Sequence, residues 1–241
     1  MFPKRILVVI LVLSFVKGLK AQSSIGFDVQ INRDFFELKD EGSALKNGLG
    51  INVSPAFIYR YGFGSKLTFL TGMRLKLYSE EIAFKKLVGT FTSSGNASLV
   101  IPCHLEKNIN LYHYKLFLSP LLGLNYNFLL NSGSTMEGAV STPNDSARFK
   151  STKPYERVSF FTAMAGLSLE YRFRPSTSIA LYWQYTKGFS TVTSQNISYT
   201  VNDGAEMHAV QNNTGTYFTY LGVRIYRHFP RRIKTARDKK E

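Results

Sequence analysis

Cysteine is almost missing from this chain, with Cys103 the single example in 241 residues. A lone thiol excludes an internal disulfide framework and a cysteine zinc cluster, and on a strand it reads as a small hydrophobe. Tryptophan also occurs once, and acidic side chains are scarce, 16 against 30 Lys and Arg. Long hydrophobic runs are scarcer still. The only one, Ile6 to Val16, falls well short of the ~20 residues a spanning helix requires. Lys4 and Arg5 precede that run and Ala21-Gln22 follows it, the order of a secretory signal peptide over residues 1–21. The expectation is therefore an exported protein without a membrane-spanning helix.

The basic excess narrows the partners. Removing Lys4, Arg5, Lys17 and Lys20 with the signal leaves 26 basic against 16 acidic residues. Much of the local surplus lies in a terminal run, Arg231, Arg232, Lys234, Arg237, Lys239 and Lys240. Nucleic-acid binding wants basic charge on a folded surface interleaved with aromatics, so nucleic acid is not an expected partner. A solvated basic tail over 230–241 is expected instead, with contact to anionic headgroups or another envelope component as the alternative.

Aromatics, in contrast, are abundant at 14%, with 14 Tyr and 19 Phe. Mean hydropathy is −0.10, too polar for a helical membrane protein but ordinary where only alternate residues meet lipid. The pattern that organises the chain is a period of two. It is plain in the last regular stretch, Thr214 to Phe229, where Tyr217, Thr219, Leu221, Val223 and Ile225 form one face. Tyr220, Gly222, Arg224, Tyr226 and His228 form the other, with a charge at mid-strand. Such a strand requires an apolar medium on one side and a wet or charged enclosure on the other, as in a transmembrane β-barrel.

Seven more stretches alternate in the same way: about Ser24 to Phe36, Gly48 to Tyr61, Lys66 to Tyr78, Asn96 to Lys107, Tyr114 to Leu130, Arg157 to Phe173 and Thr177 to Val192. Pro55 suggests a bulge in the second. Gly62-Phe63-Gly64-Ser65 is a tight connection, and with no helical segment after it a phosphate loop is excluded. The connections alternate long and short, the long ones reading as irregular polar loops, notably Asn131 to Glu156 and Thr193 to Asn213. Outer-membrane barrels combine an even strand count, short periplasmic turns and long outside loops. The predicted fold is all-β, an eight-stranded antiparallel transmembrane barrel over 22–229, with both termini periplasmic. A secreted calycin-like barrel, apolar residues inward, is the soluble alternative.

The residues also resemble a known group. The export signal ending Ala21-Gln22, the Leu99-Val100-Ile101-Pro102 stretch and the Gly166-Leu167-Ser168-Leu169-Glu170-Tyr171 stretch are similar to those of the small outer-membrane β-barrel proteins of Bacteroidota. The last strand, with Tyr220, Gly222, Ile225 and Phe229, looks like the aromatic-ended signal read by the barrel-insertion machinery. The resemblance implies an outer-membrane location among lipid and lipopolysaccharide. That family includes the PorT-like proteins linked to type IX secretion, and the basic extension past Phe229 departs from barrels that stop at the last aromatic.

Inward faces carry Asp28, Arg60, Arg74, Lys76, His104, Glu106, Lys115, Glu170, Arg172 and Arg224. Eight strands give a bore that side chains fill, and charges there must pair. These residues are expected to form a salt-bridged plug, with an ion path as the alternative. Asp28 and Arg224 are expected to be neighbours where the first and last strands close the barrel. His104 with Glu106 is the one local hint of a hydrolase, and same-face residues two apart are commonplace on strands. His113, His208 and His228 lack metal-ligand spacing. No cofactor or metal is expected, and the favoured function is structural or recognition through long outer loops, ahead of a narrow solute channel or an enzyme.

Overall fold

The computed structural model describes residues 22–63, 66–78, 80–87, 90–93, 97–130, 135–142, 145–153 and 159–229. The expected signal peptide, 1–21, and basic tail, 230–241, lie outside the described residues. Eight long strands form the wall: β1 Gln22–Asp40, β2 Ile51–Phe63, β3 Leu67–Leu77, β4 Ala97–Lys107, β5 Leu116–Leu129, β6 Ser159–Arg174, β7 Thr177–Gly188 and β8 Met207–His228. Each pairs antiparallel with the next, and β1 pairs with β8 from Ser24↔His228 upward, closing the barrel. Both ends of the barrel-forming chain meet at the mouth with the short links, where the Phe229 amide donates to Ser23.

Closure follows from the period-two pattern. Leu122 is 67% exposed on the outer wall while Arg74 is 0% exposed in the bore. Leu167 and Leu221 also face out, and Glu170 faces in, so the apolar-inward alternative is excluded. Aromatic rings concentrate at two levels of the wall. Tyr61 with Phe63 and Tyr171 with Phe173 lie at the short-turn end. Tyr126 with Phe161 and Phe218 with Tyr220 lie toward the long connections, and exposed aliphatics such as Leu124, Leu167 and Leu181 occupy the belt between. This is the girdled arrangement that suits an apolar slab between two wet interfaces.

The face assignment of the last strand needs correction above Leu221. Tyr217 and Thr219 point into the bore and Tyr220 points out. A bulge at Tyr220-Leu221 sets two residues against one on both neighbours, Ile31↔Leu221 stepping to Asn32↔Thr219 and Tyr182↔Gly222 stepping to Gln184↔Thr219. One extra residue reverses the parity of everything above it. Pro55, by contrast, makes no bulge: the register with β1 runs through it as Val29↔Pro55, and the ladder to β3 begins only at Ala56. A missing N–H ends one ladder without shifting the other. Lys115 belongs to the exposed turn before β5 rather than to the bore, and β7 stops at Gly188, short of Val192.

The long connections are not irregular. Thr135–Ser141 and Ser146–Thr152 form a hairpin, and Ser146–Thr152 pairs with Thr193–Val201, which pairs in turn with the upper part of β8. A second small sheet joins Leu45–Asn47, Glu80–Phe84 and Thr90–Ser93. The two sheets enclose an apolar core of their own, with Leu45, Ile82, Phe84 and Leu87 against Phe149, Ile197, Tyr199 and Ala209. A folded two-layer cap thus stands on the end of the barrel opposite the short links. Gly215 makes the corner: its φ of 73° opens a second bulge where β8 leaves β7 for the cap strand Thr193–Val201.

Gly222 is required for another reason. A Cβ built there would stand 2.1 Å from the Tyr182 ring, which fills the bore beside it. Gly222→Ala is therefore expected to displace Tyr182 and destabilise the barrel by about 1–3 kcal/mol. A denaturant titration in micelles checks it; an unshifted midpoint would mean the ring moves aside freely.

Candidate functional site: a charge chain in the bore and a cap above it

The bore holds a continuous relay of ion pairs. Arg74 donates to Asp28 at 2.8 Å, and the second arginine at Asp28 is Arg224, with Nε 3.5 Å from Oδ2. Arg224 Nη1 lies 2.6 Å from Glu106, whose other oxygen is 3.3 Å from Arg60. Arg60 then donates to Glu170, which also accepts from Arg172 Nε at 3.0 Å. Lys76 forms a separate pair with Asp34 at 2.6 Å, higher in the bore. Of the ten residues that the sequence placed inward, the structure brings seven into one chain, sets Lys76 just above it, leaves His104 outside the ion pairs and puts Lys115 outside the bore.

Aromatic faces complete the packing. The Arg224 guanidinium carbon sits 3.7 Å from the Tyr182 ring centroid, and the Tyr182 hydroxyl donates to Asp28 at 2.6 Å. Arg60 lies over Tyr226, and Lys76 lies between Tyr78 and Tyr217. Cations held on ring faces lose less on desolvation than bare ones. With Asp28 they are packed so closely that Arg74, Lys76, Arg224 and Tyr182 are each 0% exposed.

His104 and Glu106 are not brought together as a catalytic pair. His104 Nε2 is bonded to Asn125 at 2.8 Å, and both oxygens of Glu106 go to arginines. Among the described residues, no group of three or more His, Cys, Asp or Glu has metal-holding geometry. Cys103 is on the outer wall.

Sequence reasoning passed over several members of this site. Asp34 continues the inward parity of Asp28, Gln30 and Asn32, so extending the same count by one step finds it. Tyr182 falls between Ala180 and Gln184 on the inward face of β7. Glu80 and Lys153 carry no local signal. They form a buried ion pair where two connections far apart in sequence meet beneath the cap, and burial lowers the lysine's pKa from its ordinary value while Glu80 opposes that shift.

The cap presents a different chemistry. Its outer sheet face carries Glu137, Arg148, Lys150, Asp203 and Glu206 around an open dish of about 530 Å3, with Lys150 paired to Glu137 at 2.6 Å. Thr135–Ser141 is an edge strand, paired among the described residues only with Ser146–Thr152.

Among the solved structures similar to this chain are three outer-membrane proteins. OprG, an outer membrane protein of Pseudomonas aeruginosa, superposes with a TM-score of 0.52 at 10% identity, covering 88% of this chain and 96% of that one. A major outer membrane protein of Thermus thermophilus gives 0.45 at 11% identity over 85% and 99%. Ail, the attachment invasion locus protein of Yersinia pestis, gives 0.38 at 14% identity over 87% and 99%. At this identity the OprG likeness concerns the fold: a small closed barrel of the outer-membrane type. No protein-family model matches the chain, and no curated protein matches it.

Proposed function

We propose that this protein is a non-enzymatic outer-membrane barrel that anchors a folded recognition cap at the cell surface. The observation that carries the reading is the combination of an apolar, aromatic-belted wall with a bore closed by paired charges beneath a cap that has its own core. In this reading the short links and both termini are periplasmic. The wall meets lipid and lipopolysaccharide, and the Tyr220-to-Phe229 end is what the insertion machinery engages. Recognition of another envelope protein falls to the cap, whose free edge strand and charged dish offer backbone pairing and side-chain contacts together.

The closed bore argues against the channel alternative. Purified protein in planar bilayers is expected to give no steady unitary current, and reproducible conductance steps would overturn the anchoring role. Heat-modifiable gel mobility in outer-membrane fractions tests location, and cleavage of cap connections by protease added to intact cells tests which mouth faces outward. The resemblance to Bacteroidota barrels supports a finer reading as one of that group. A secretion-linked, PorT-like role is the second reading, supported by that resemblance alone. Deletion separates the two, since loss of secreted cargo favours the second and envelope defects with normal secretion favour the first. Turnover abolished by His104→Ala would overturn the non-enzymatic reading.

A further inference from the structure

We infer that the mouth of the barrel at the short-link end is an oxyanion-binding site, fitted to a phosphate group. The charge chain of the bore alternates in sign. It runs Arg74, Asp28, Arg224, Glu106, Arg60, Glu170, Arg172, and so begins and ends on a cation, with four positive groups against three negative ones. The Arg74 end is buried at 0% exposure, whereas the Arg172 side chain, at 26%, reaches a cavity of about 440 Å3. Of the two cations that end the chain, only Arg172 is open to solvent.

That cavity is built from donors. Arg60, Lys66 and Arg172 line it and, among the described residues, no carboxylate does. Arg60 is 4% exposed, and its Nε has no hydrogen-bond partner among the described residues, although its Nη1 and Nη2 are engaged by Glu170, Glu106 and Asn108. That Nε is itself sealed from solvent, so Arg60 supplies fixed positive charge behind the cavity wall, and the cations an anion in the cavity can touch are Arg172 and Lys66. The wall is also held rigid. Asn108 accepts from Arg60 Nη2 at 2.8 Å and donates to Thr68 at 2.7 Å, while the His228 ring is fixed between Ser24 at 2.6 Å and Ser178 at 2.8 Å. Arg172 is braced over the Phe117 ring, 4.1 Å from its centroid. Two of the three cations round the concavity, Arg60 and Arg172, are thus pre-placed, so little is lost to ordering them on binding.

The same chemistry has two sources, a free phosphate-bearing solute or the phosphate of a lipid headgroup at the rim. Full-length protein in zwitterionic micelles, titrated with inorganic phosphate and followed by calorimetry, is expected to show saturable binding of one phosphate per chain. Arg172→Gln should weaken it about tenfold or more, the loss of one charge-assisted contact. Lys66→Gln, at an exposed turn position with little folding consequence, should weaken it by about threefold to tenfold. Replacing the basic residues of the terminal run, Arg231 to Lys240, by Gln should leave it unchanged. Binding seen in phosphate-free sulfobetaine micelles but lost in phosphatidylcholine nanodiscs identifies the headgroup as occupant. Equal binding in both identifies a free solute. An absence of saturable binding overturns the inference, as does binding that follows the tail substitutions and ignores Arg172 and Lys66.

Discussion

Asp28→Asn is expected to cost the barrel about 3–5 kcal/mol of unfolding free energy, the loss typical when one partner of a buried ion pair is removed. Asp28 is the single anion between Arg74 and Arg224, and it also accepts from Tyr182. All three ionic side chains are fully buried. An asparagine would leave Arg74 facing a neutral amide with its carboxylate partner gone, and Arg224 with Glu106 alone, both stripped of water. The comparison is Glu37→Gln, which breaks the Lys39–Glu37 pair where both side chains are more than half exposed. Salt and solvent screen that pair, and its loss should move stability by less than about 1 kcal/mol. Trp183, the only tryptophan, lies on the outer wall of β7 and reports unfolding in micelles by its emission. If Asp28→Asn proves as mild as Glu37→Gln, water reaches the bore, the charges are hydrated, and the closed-anchor reading fails with them.

What could be read from the chain, and what could not, divides along a physical line. Alternation is local: a residue and its neighbour two along must share a face, so Ile25, Phe27 and Ile31 outside and Asp28 inside follow without knowledge of any other strand. The even strand number and the order of short and long links follow from counting such stretches. Parity breaks only where one extra residue enters, and Tyr220-Leu221 gives no warning of this because both residues suit an outer wall. The chemical partners are harder. Strand closure predicts Asp28 beside Arg224, since the first and last strands must meet, and the structure has that pair in register. Glu106 reaching Arg224 and Arg60 reaching Glu170 span the bore between strands that do not touch. No counting rule along the chain supplies those contacts.

The cap escaped for a different reason. Segments rich in Ser, Thr and Asn read as loops because their average is polar. Yet Met136 with Val140, Ala147 with Phe149, and Ile197 with Tyr199 and Val201 each keep the period of two. Their strands are short, and only pairing with one another and with the upper part of β8 stabilises them. Two of these pairings are local, but the apolar face they build is covered only by residues remote in sequence, such as Leu45, Ile82 and Phe84. Local propensity measures fit to a half-buried surface that here exists only after the cap assembles.

That dependence predicts a separable unit. Ile82→Ala removes a side chain at 0% exposure from the middle of the cap core, where it packs with Phe84, Phe149 and Ile197 among others. Deleting so buried an aliphatic group costs about 2–5 kcal/mol, a large share of what a small two-layer cap can hold. The cap is expected to open while the barrel stays closed, because the ion-pair chain lies below it and the wall enters its core only at the upper ends of β1 and β8, at Leu38, Met207 and Ala209. Limited proteolysis should then cut within 80–87 and 193–206 at least tenfold faster than in the parent chain, a factor that about 1.4 kcal/mol already supplies. Heat-modifiable mobility of the remaining barrel should be unchanged. A barrel transition that moves together with the new cleavage would show cap and wall to be one cooperative body, and a cap that cannot open independently could not exchange its edge strand with a partner by local unfolding.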